Sequence, residues 1–350
     1  MTSSDSTPTE ARRDLDALPK AHLHLHFTGS MAFDTLRDMS ALHGVRLPES
    51  LTSGWPPRLA SARDERGWFR FQRLYDAARA CVRSEDDMRR IVDEAAAADA
   101  REGSRWLEIQ VDPTSYAPFV GGITPALEIV LDEARRAGER HGIGVGVVVA
   151  ASRLRHPLDA RTLARLAARN AGPVVGFGLS NDERRGDTSA FAPAFRIARD
   201  AGLASLPHGG ELLGPDAVSE TLDALQPNRL GHGVRSAEAP DVLKRVVDAG
   251  VGLEVCPGSN VALGVYENAA DVPLRGLFDA GARLALGADD PLLFGSRLTD
   301  QYRSARDDHR FSDAELAQLA RDSFAISNAP DDVVAAANAD IDAWLAAPPA

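Results

Sequence analysis

Apolar residues along this chain gather in short runs of strand length, separated by longer stretches in which apolar positions recur with helical spacing. The runs at 21–27, 105–111, 143–150, 173–179, 203–207, 229–231, 251–256 and 283–287 read as strands. Segments rich in Ala, Leu, Arg and Asp at 88–100, 125–140, 159–168, 192–201 and 239–249 read as intervening helices, and 313–345 as terminal helices. Eight strands alternating with helices predict an α/β fold, a (β/α)8 TIM barrel. No internal repeat or linker divides the chain, so residues 15–346 are expected to form one domain behind a polar, disordered tail at 1–14. The insertion at 30–104 is the long one. Its Trp55-Pro56-Pro57 kink and the set Trp68, Phe69, Phe71, Leu74 and Tyr75 read either as a helical lid over the barrel mouth, centred on 45–80, or as an ordinary packed helix.

The first run carries the most chemistry. In Lys20-Ala21-His22-Leu23-His24-Leu25-His26-Phe27, alternation puts His24 and His26 on one face and Leu23, Leu25 and Phe27 on the other. A strand wanted on both faces belongs to a parallel sheet, and imidazoles buried there need partners, a metal ion among them. Further candidate ligands close three other runs: His208 after 203–207, His232 after 229–231, and Asp289 with Asp290 after 283–287. Chemistry gathered at strand ends from distant parts of a chain reads as catalytic in such a barrel. Taken singly, each has a structural alternative: Glu211 as a first-turn helix carboxylate, Asp289-Asp290-Pro291 as a helix start, His232 as a loop histidine. Cys256 reads as a small buried side chain and His22 as an inner-barrel packing or hydrogen-bonding residue.

Composition narrows the partners. The formal net charge of −12 argues against nucleic acid and favours a small molecule. With two cysteines, Cys81 and Cys256, there is no disulfide framework and no Cys-rich metal site. The polar first ten residues and the lack of any apolar run of ~20 residues lead to the expectation of a cytoplasmic chain without a membrane partner. Oligomeric state is not legible.

Five segments together resemble one family. Leu18-Pro19-Lys20-Ala21-His22-Leu23-His24-Leu25-His26, Pro207-His208-Gly209-Gly210-Glu211, Arg229-Leu230-Gly231-His232-Gly233, Val255-Cys256-Pro257-Gly258-Ser259-Asn260 and Ala288-Asp289-Asp290-Pro291 are similar, in this order, to the motif set of the adenosine deaminase family within the amidohydrolase superfamily. The resemblance implies an amidohydrolase-type barrel with one Zn2+ per chain held by His24, His26, His208 and Asp289. It implies catalytic roles for Glu211 as the acid facing purine N1, His232 on the metal-bound water and Asp290 at purine N7. Zinc lowers the pKa of such a water to about 7, so hydroxide is available for hydrolytic deamination of a 6-aminopurine at neutral pH. Neither Lys20 nor Lys244 sits where a two-metal amidohydrolase carries its carbamylated lysine. The absence of any C-x-x-C excludes the other zinc deaminase class.

Substrate-side positions depart from the family pattern. Thr28 stands where adenosine deaminases commonly carry aspartate against the ribose 5′-hydroxyl and adenine deaminases often glutamate. Asn181, in Gly178-Leu179-Ser180-Asn181-Asp182-Glu183, stands where the loop touching purine N3 usually has glycine. A neutral Thr28 favours a purine nucleoside altered at its 5′ end, such as 6-amino-6-deoxyfutalosine of menaquinone synthesis or 5′-methylthioadenosine, with adenosine also compatible. Thr28, Asn181, Asp290 and Phe71 are the expected substrate contacts. The alternatives are deamination of free adenine and, in a different class, a non-catalytic nucleoside-binding protein of the same fold.

Overall fold

The computed structural model describes residues 12–349 apart from Ala60 and Arg63. Eight parallel strands follow one another in sequence order: β1 (Lys20–His26), β2 (Ser104–Val111), β3 (Gly144–Ser152), β4 (Val174–Ser180), β5 (Ala204–Gly209), β6 (Arg229–His232), β7 (Gly252–Val255) and β8 (Leu284–Leu286). The ring is nearly closed between β8 and β1, where the His26 N–H donates to the Asp289 carbonyl and the Asp289 N–H to the His24 carbonyl, both at 3.0 Å. All eight runs read from the apolar pattern are strands, with boundaries displaced by no more than two residues.

The outward faces of the strands meet helices. Leu25, Phe27, Val147 and Val149 join one apolar cluster with Ile91, Val92, Ala134 and Leu163 from the helices Glu85–Arg101, Ile123–His141 and Pro157–Arg169. The helix Asp313–Ala325 packs on the closing seam, with Ser323 Oγ accepting from the Ala21 N–H at 2.9 Å. The five intervening helices are present, as are Asp313–Ala325 and Asp331–Ala346 in the terminal segment. The pattern passed over Pro215–Leu225 and Leu298–Asp307. Most of the expected tail, residues 1–11, lies outside the described residues. Arg13 is tied down, by Asp313 at 2.7 Å and by the carbonyls of Trp344 and Leu345.

The insertion after β1 contributes the helices Phe33–His43, Glu65–Arg79 and Glu85–Arg101. Glu65–Arg79 begins at Asp64, whose carboxylate caps the Gly67 N–H at 2.7 Å, and it turns Trp68, Phe71 and Leu74 inward while leaving Phe69 exposed. Lys20 lies at the opposite end of the barrel from the histidines. Its ammonium donates to the carbonyls of Leu15 and Leu18 at 2.8 Å and to that of Glu102, and burial pulls its pKa down to about 8. No helix among the described residues is long and apolar enough to cross a membrane.

Candidate active site

Barrel geometry brings the strand ends to one mouth. His24 and His26 from β1, His208 from β5, His232 from β6 and Asp289 just beyond β8 converge there, drawn from positions more than 200 residues apart. His232 and Asp289 hold left-handed backbone angles, φ +65° and +61°, uncommon for residues other than glycine and typical of strained functional positions. Gly231, just before His232, leaves space for the ligands: a Cβ there would lie 2.6 Å from the His208 ring and 2.9 Å from that of His24.

These side chains fit a metal ion. His24 Nε2 and His208 Nε2 are buried with no hydrogen-bond partner, which is costly for a polar atom unless something else occupies it. Asp289 Oδ1 stands 3.2 Å from His26 Nε2 and 3.7 Å from His24 Nε2, and the donor nitrogens of His24, His26 and His208 lie within 4.8 Å of one another. Tetrahedral donors at ~2.0–2.1 Å from zinc stand about 3.3 Å apart. Three imidazoles and a carboxylate are donors zinc accepts, and a water would be a fifth, the expansion that catalytic zinc sites can make.

Behind the ligands runs a buried ionic chain. His24 Nδ1 bonds Glu254 Oε2 at 2.7 Å, so its Nε2 is the nitrogen free to face the ion. Arg229, fully buried, donates to Glu254 at 2.6 Å and to Glu108, which also accepts from Trp106 Nε1 at 2.9 Å and the Asn328 N–H at 2.7 Å. Against the upward push of burial, Arg229 and His24 hold the Glu254 pKa down to about 2. Arg229→Met, which strands two buried carboxylates, is therefore expected to cost about 3–5 kcal/mol of stability. Denaturant unfolding measures this, and a loss below ~1 kcal/mol, the scale of an exposed pair, contradicts it.

Two carboxyls at the mouth are shifted the other way. Burial, then the charges of Asp289, Glu183, Asp290 and Asp182, push Glu211 well above the ordinary carboxyl range. Burial and Asp289 do the same to Asp290, whose Oδ1 is buried without a partner. Both are thus disposed to carry a proton and donate it. The Glu211 backbone is fixed by Glu183, whose carboxylate accepts from the N–H groups of Glu211, Leu212 and Leu213 at 3.1, 2.9 and 2.9 Å. Asp290 has room only because residue 29 is glycine, where a Cβ would fall 1.7 Å from its Oδ1. His232 Nε2 lies 3.6 Å from Glu211 and 3.9 Å from Asp289. Burial first, and His24 next, bring its pKa to about 3, leaving a neutral base.

A model of the Adenosine deaminase family matches residues 19–344. The chain belongs to the adenosine deaminase family. It is accordingly a hydrolase of the metal-dependent amidohydrolase superfamily, acting on amidine C–N bonds. It is 63% identical over 337 residues to a Streptomyces virginiae protein named "Putative adenosine/adenine deaminase", covering 96% of this chain and 99% of that one. It is 35% identical over 305 residues to an adenine deaminase of Rhizobium leguminosarum bv. trifolii, covering 87% and 92%. The crystal structure of adenine deaminase from Arthrobacter aurescens superposes with a TM-score of 0.86 at 28% identity, covering 94% of this chain and all of that one.

Seen as an adenosine deaminase family member, the chain departs from the pattern in physically legible ways. Asn181 adopts φ +84°, a conformation that suits glycine and that asparagine tolerates best among the other residues. It lines the cavity with His26, His208 and Asp289, together with Ser180, Gln72 and Leu263. Phe71 lines the same cavity, stacked on Phe294 at 5.7 Å, with Trp68 and Tyr75 beside it, so Glu65–Arg79 is a packed helix that also walls the site. Thr28 is not brought to this cavity. It is buried, its hydroxyl 2.5 Å from that of Tyr116, and Tyr75 fronts the space instead. His22 is fully buried and hydrogen-bonded as expected, but its partner Asp99 lies on the helix Glu85–Arg101 outside the strands rather than in the barrel interior, because the register of β1 shifts between His22 and Leu25. Sequence reasoning missed Glu254, Arg229, Glu108 and Asp99. For the first three the available signal was a charge inside an apolar strand run, which must be paired if the strand is buried.

Proposed function

We propose that the chain hydrolyses the C6 amino group of a 6-aminopurine using one zinc ion, with free adenine the substrate its cavity fits. The observation that carries the reaction is the pair of unpartnered buried nitrogens, His24 Nε2 and His208 Nε2, facing Asp289 beside two buried carboxyls, Glu211 and Asp290, whose pKa values burial raises. Bound there, zinc would supply hydroxide at neutral pH by lowering the pKa of water to about 7. Glu211 donates its proton to the ring nitrogen that gains electron density as oxygen adds to C6. Asp290, as an acid, donates a hydrogen bond to the imidazole-ring nitrogen of the purine and orients it. His232 holds the proton taken from water and returns it to the departing amine, so the C–N bond breaks and ammonia leaves, while the proton of the new C6 hydroxyl returns to Glu211 and a 6-oxopurine remains.

Size supports the free base. The cavity holds about 60 Å³. At ~10–15 Å³ per water position this is room for roughly four to six waters, which admits a flat bicyclic base. The adenine deaminases among its relatives point the same way. A second reading rests on Thr28: with a neutral hydroxyl bonded to Tyr116 in place of a carboxylate, a nucleoside altered at its 5′ end would enter if Glu65–Arg79 moved outward. Comparing kcat/KM for adenine, adenosine, 5′-methylthioadenosine and 6-amino-6-deoxyfutalosine decides between them. Adenine is expected to lead in the wild type, and Tyr75→Ala to narrow its advantage about tenfold, or ~1.4 kcal/mol. A 5′-altered nucleoside leading in the wild type establishes the second reading.

A further inference from the structure

His22 lies on β1, two residues before His24, and its side chain is fully buried against the helix Glu85–Arg101. Its Nε2 accepts from the Ala288 N–H at 3.0 Å and its Nδ1 bonds Asp99 Oδ2 at 2.7 Å. The tautomer follows from the partners. A peptide N–H can only donate, so Nε2 carries the lone pair, the proton sits on Nδ1, and Asp99 accepts it. Asp99 comes from the helix Glu85–Arg101, is itself fully buried, and is held on its other oxygen by Arg297 at 3.3 Å, which also pairs with Glu102 at 2.7 Å. The chain Arg297–Asp99–His22 therefore ends on the Gly287–Ala288 peptide, one residue before Asp289.

That peptide needs holding. β8 is only three residues long and Asp289, beyond its end, sits in the left-handed region at φ +61°. Such a conformation persists where the surroundings over-determine it. Hydrogen bonds from β1 backbone fix Asp289 itself, through the His24 carbonyl and the His26 N–H, while the residue before it is fixed by a side chain, His22. We propose that His22 is a positioning residue of the metal centre: by bracing the Gly287–Ala288 peptide, one residue before Asp289, against Asp99 it aims the Asp289 carboxylate at the ion, without ligating it. The inference rests on the reading of His24, His26, His208 and Asp289 as the ligand set.

Zinc affinity tests it directly, measured by competition between metal-stripped protein and a chromophoric chelator, with thermal unfolding of the metal-free proteins alongside. His22→Phe fills the space and removes both hydrogen bonds; loss of an outer partner of a metal ligand costs ~10–100-fold in affinity, and that loss is expected here. His22→Gln, whose amide oxygen can accept from the Ala288 N–H, is expected to recover most of it. Asp99→Asn, which removes the charge holding the proton on Nδ1, shifts affinity in the same direction as His22→Phe and serves if the latter does not fold. Zinc held equally by wild type and His22→Phe, or by wild type and Asp99→Asn where Phe does not fold, overturns the inference alone. A glutamine variant as weak as the phenylalanine one also overturns it. A wild-type chain that takes up no zinc overturns the ligand set and the inference with it.

Discussion

Glu211→Gln is expected to lower kcat by at least ~10²-fold while leaving zinc content and fold intact, the usual scale for removing a general acid. The substitution is near-isosteric, and the loop geometry does not depend on the side chain, because Glu183 grips the backbone N–H groups of Glu211, Leu212 and Leu213. What glutamine cannot do is release a proton. The wild-type carboxyl can, because burial and the neighbouring carboxylates keep it protonated above the ordinary range. The sign of the pH dependence follows: the competent acid is present below the raised pKa and is lost as pH rises through it, so kcat/KM should fall on the alkaline side and the glutamine variant should lack that limb. Steady-state kinetics on zinc-replete protein, with metal content measured on the same sample, decide the matter. A near-normal kcat removes Glu211 from the chemistry.

Asp289→Asn is expected to have the larger effect on the metal. Asparagine tolerates the left-handed backbone that Asp289 occupies, so the turn survives and the change isolates the charge. With Asp289 neutral, the remaining expected donors His24, His26 and His208 carry no negative charge to balance the ion. Affinity should fall by more than the ~10–100-fold typical of an outer partner, and turnover should drop below detection. Metal analysis after gel filtration reads the first and product formation the second. Full activity with stoichiometric zinc in this variant contradicts the ligand set.

The strands were legible because a barrel strand must satisfy an inner and an outer layer, so its apolar run is short, dense and ended by polar chemistry. The candidate site residues were legible for the same reason: His208, His232 and Asp289 stand where apolar runs stop, and His24 and His26 alternate with apolar residues within the first. Less visible were residues whose role depends on a partner far away in the chain. Glu254 and Arg229 lie within strand runs, and only the closed ring shows that they face each other and, through His24, the metal site. Asp99 looks like one more acid on the amphipathic helix Glu85–Arg101 until its partner, His22, is found 77 residues earlier. Thr28, next to Phe27, suggested the mouth, and in the structure it reaches the cavity only through Tyr75, its hydroxyl bonded to Tyr116 and to that lining residue. The departure at position 181 carried less information than it promised, since asparagine and glycine share the backbone conformation the loop requires.

The central claim is a single-zinc deaminase, and it is tested most directly by titrating zinc into metal-stripped protein while following ammonia release from adenine. The account predicts no turnover without metal, a linear rise and a plateau at one zinc per chain. Full turnover in the stripped protein, or a plateau reached only at two, would contradict it.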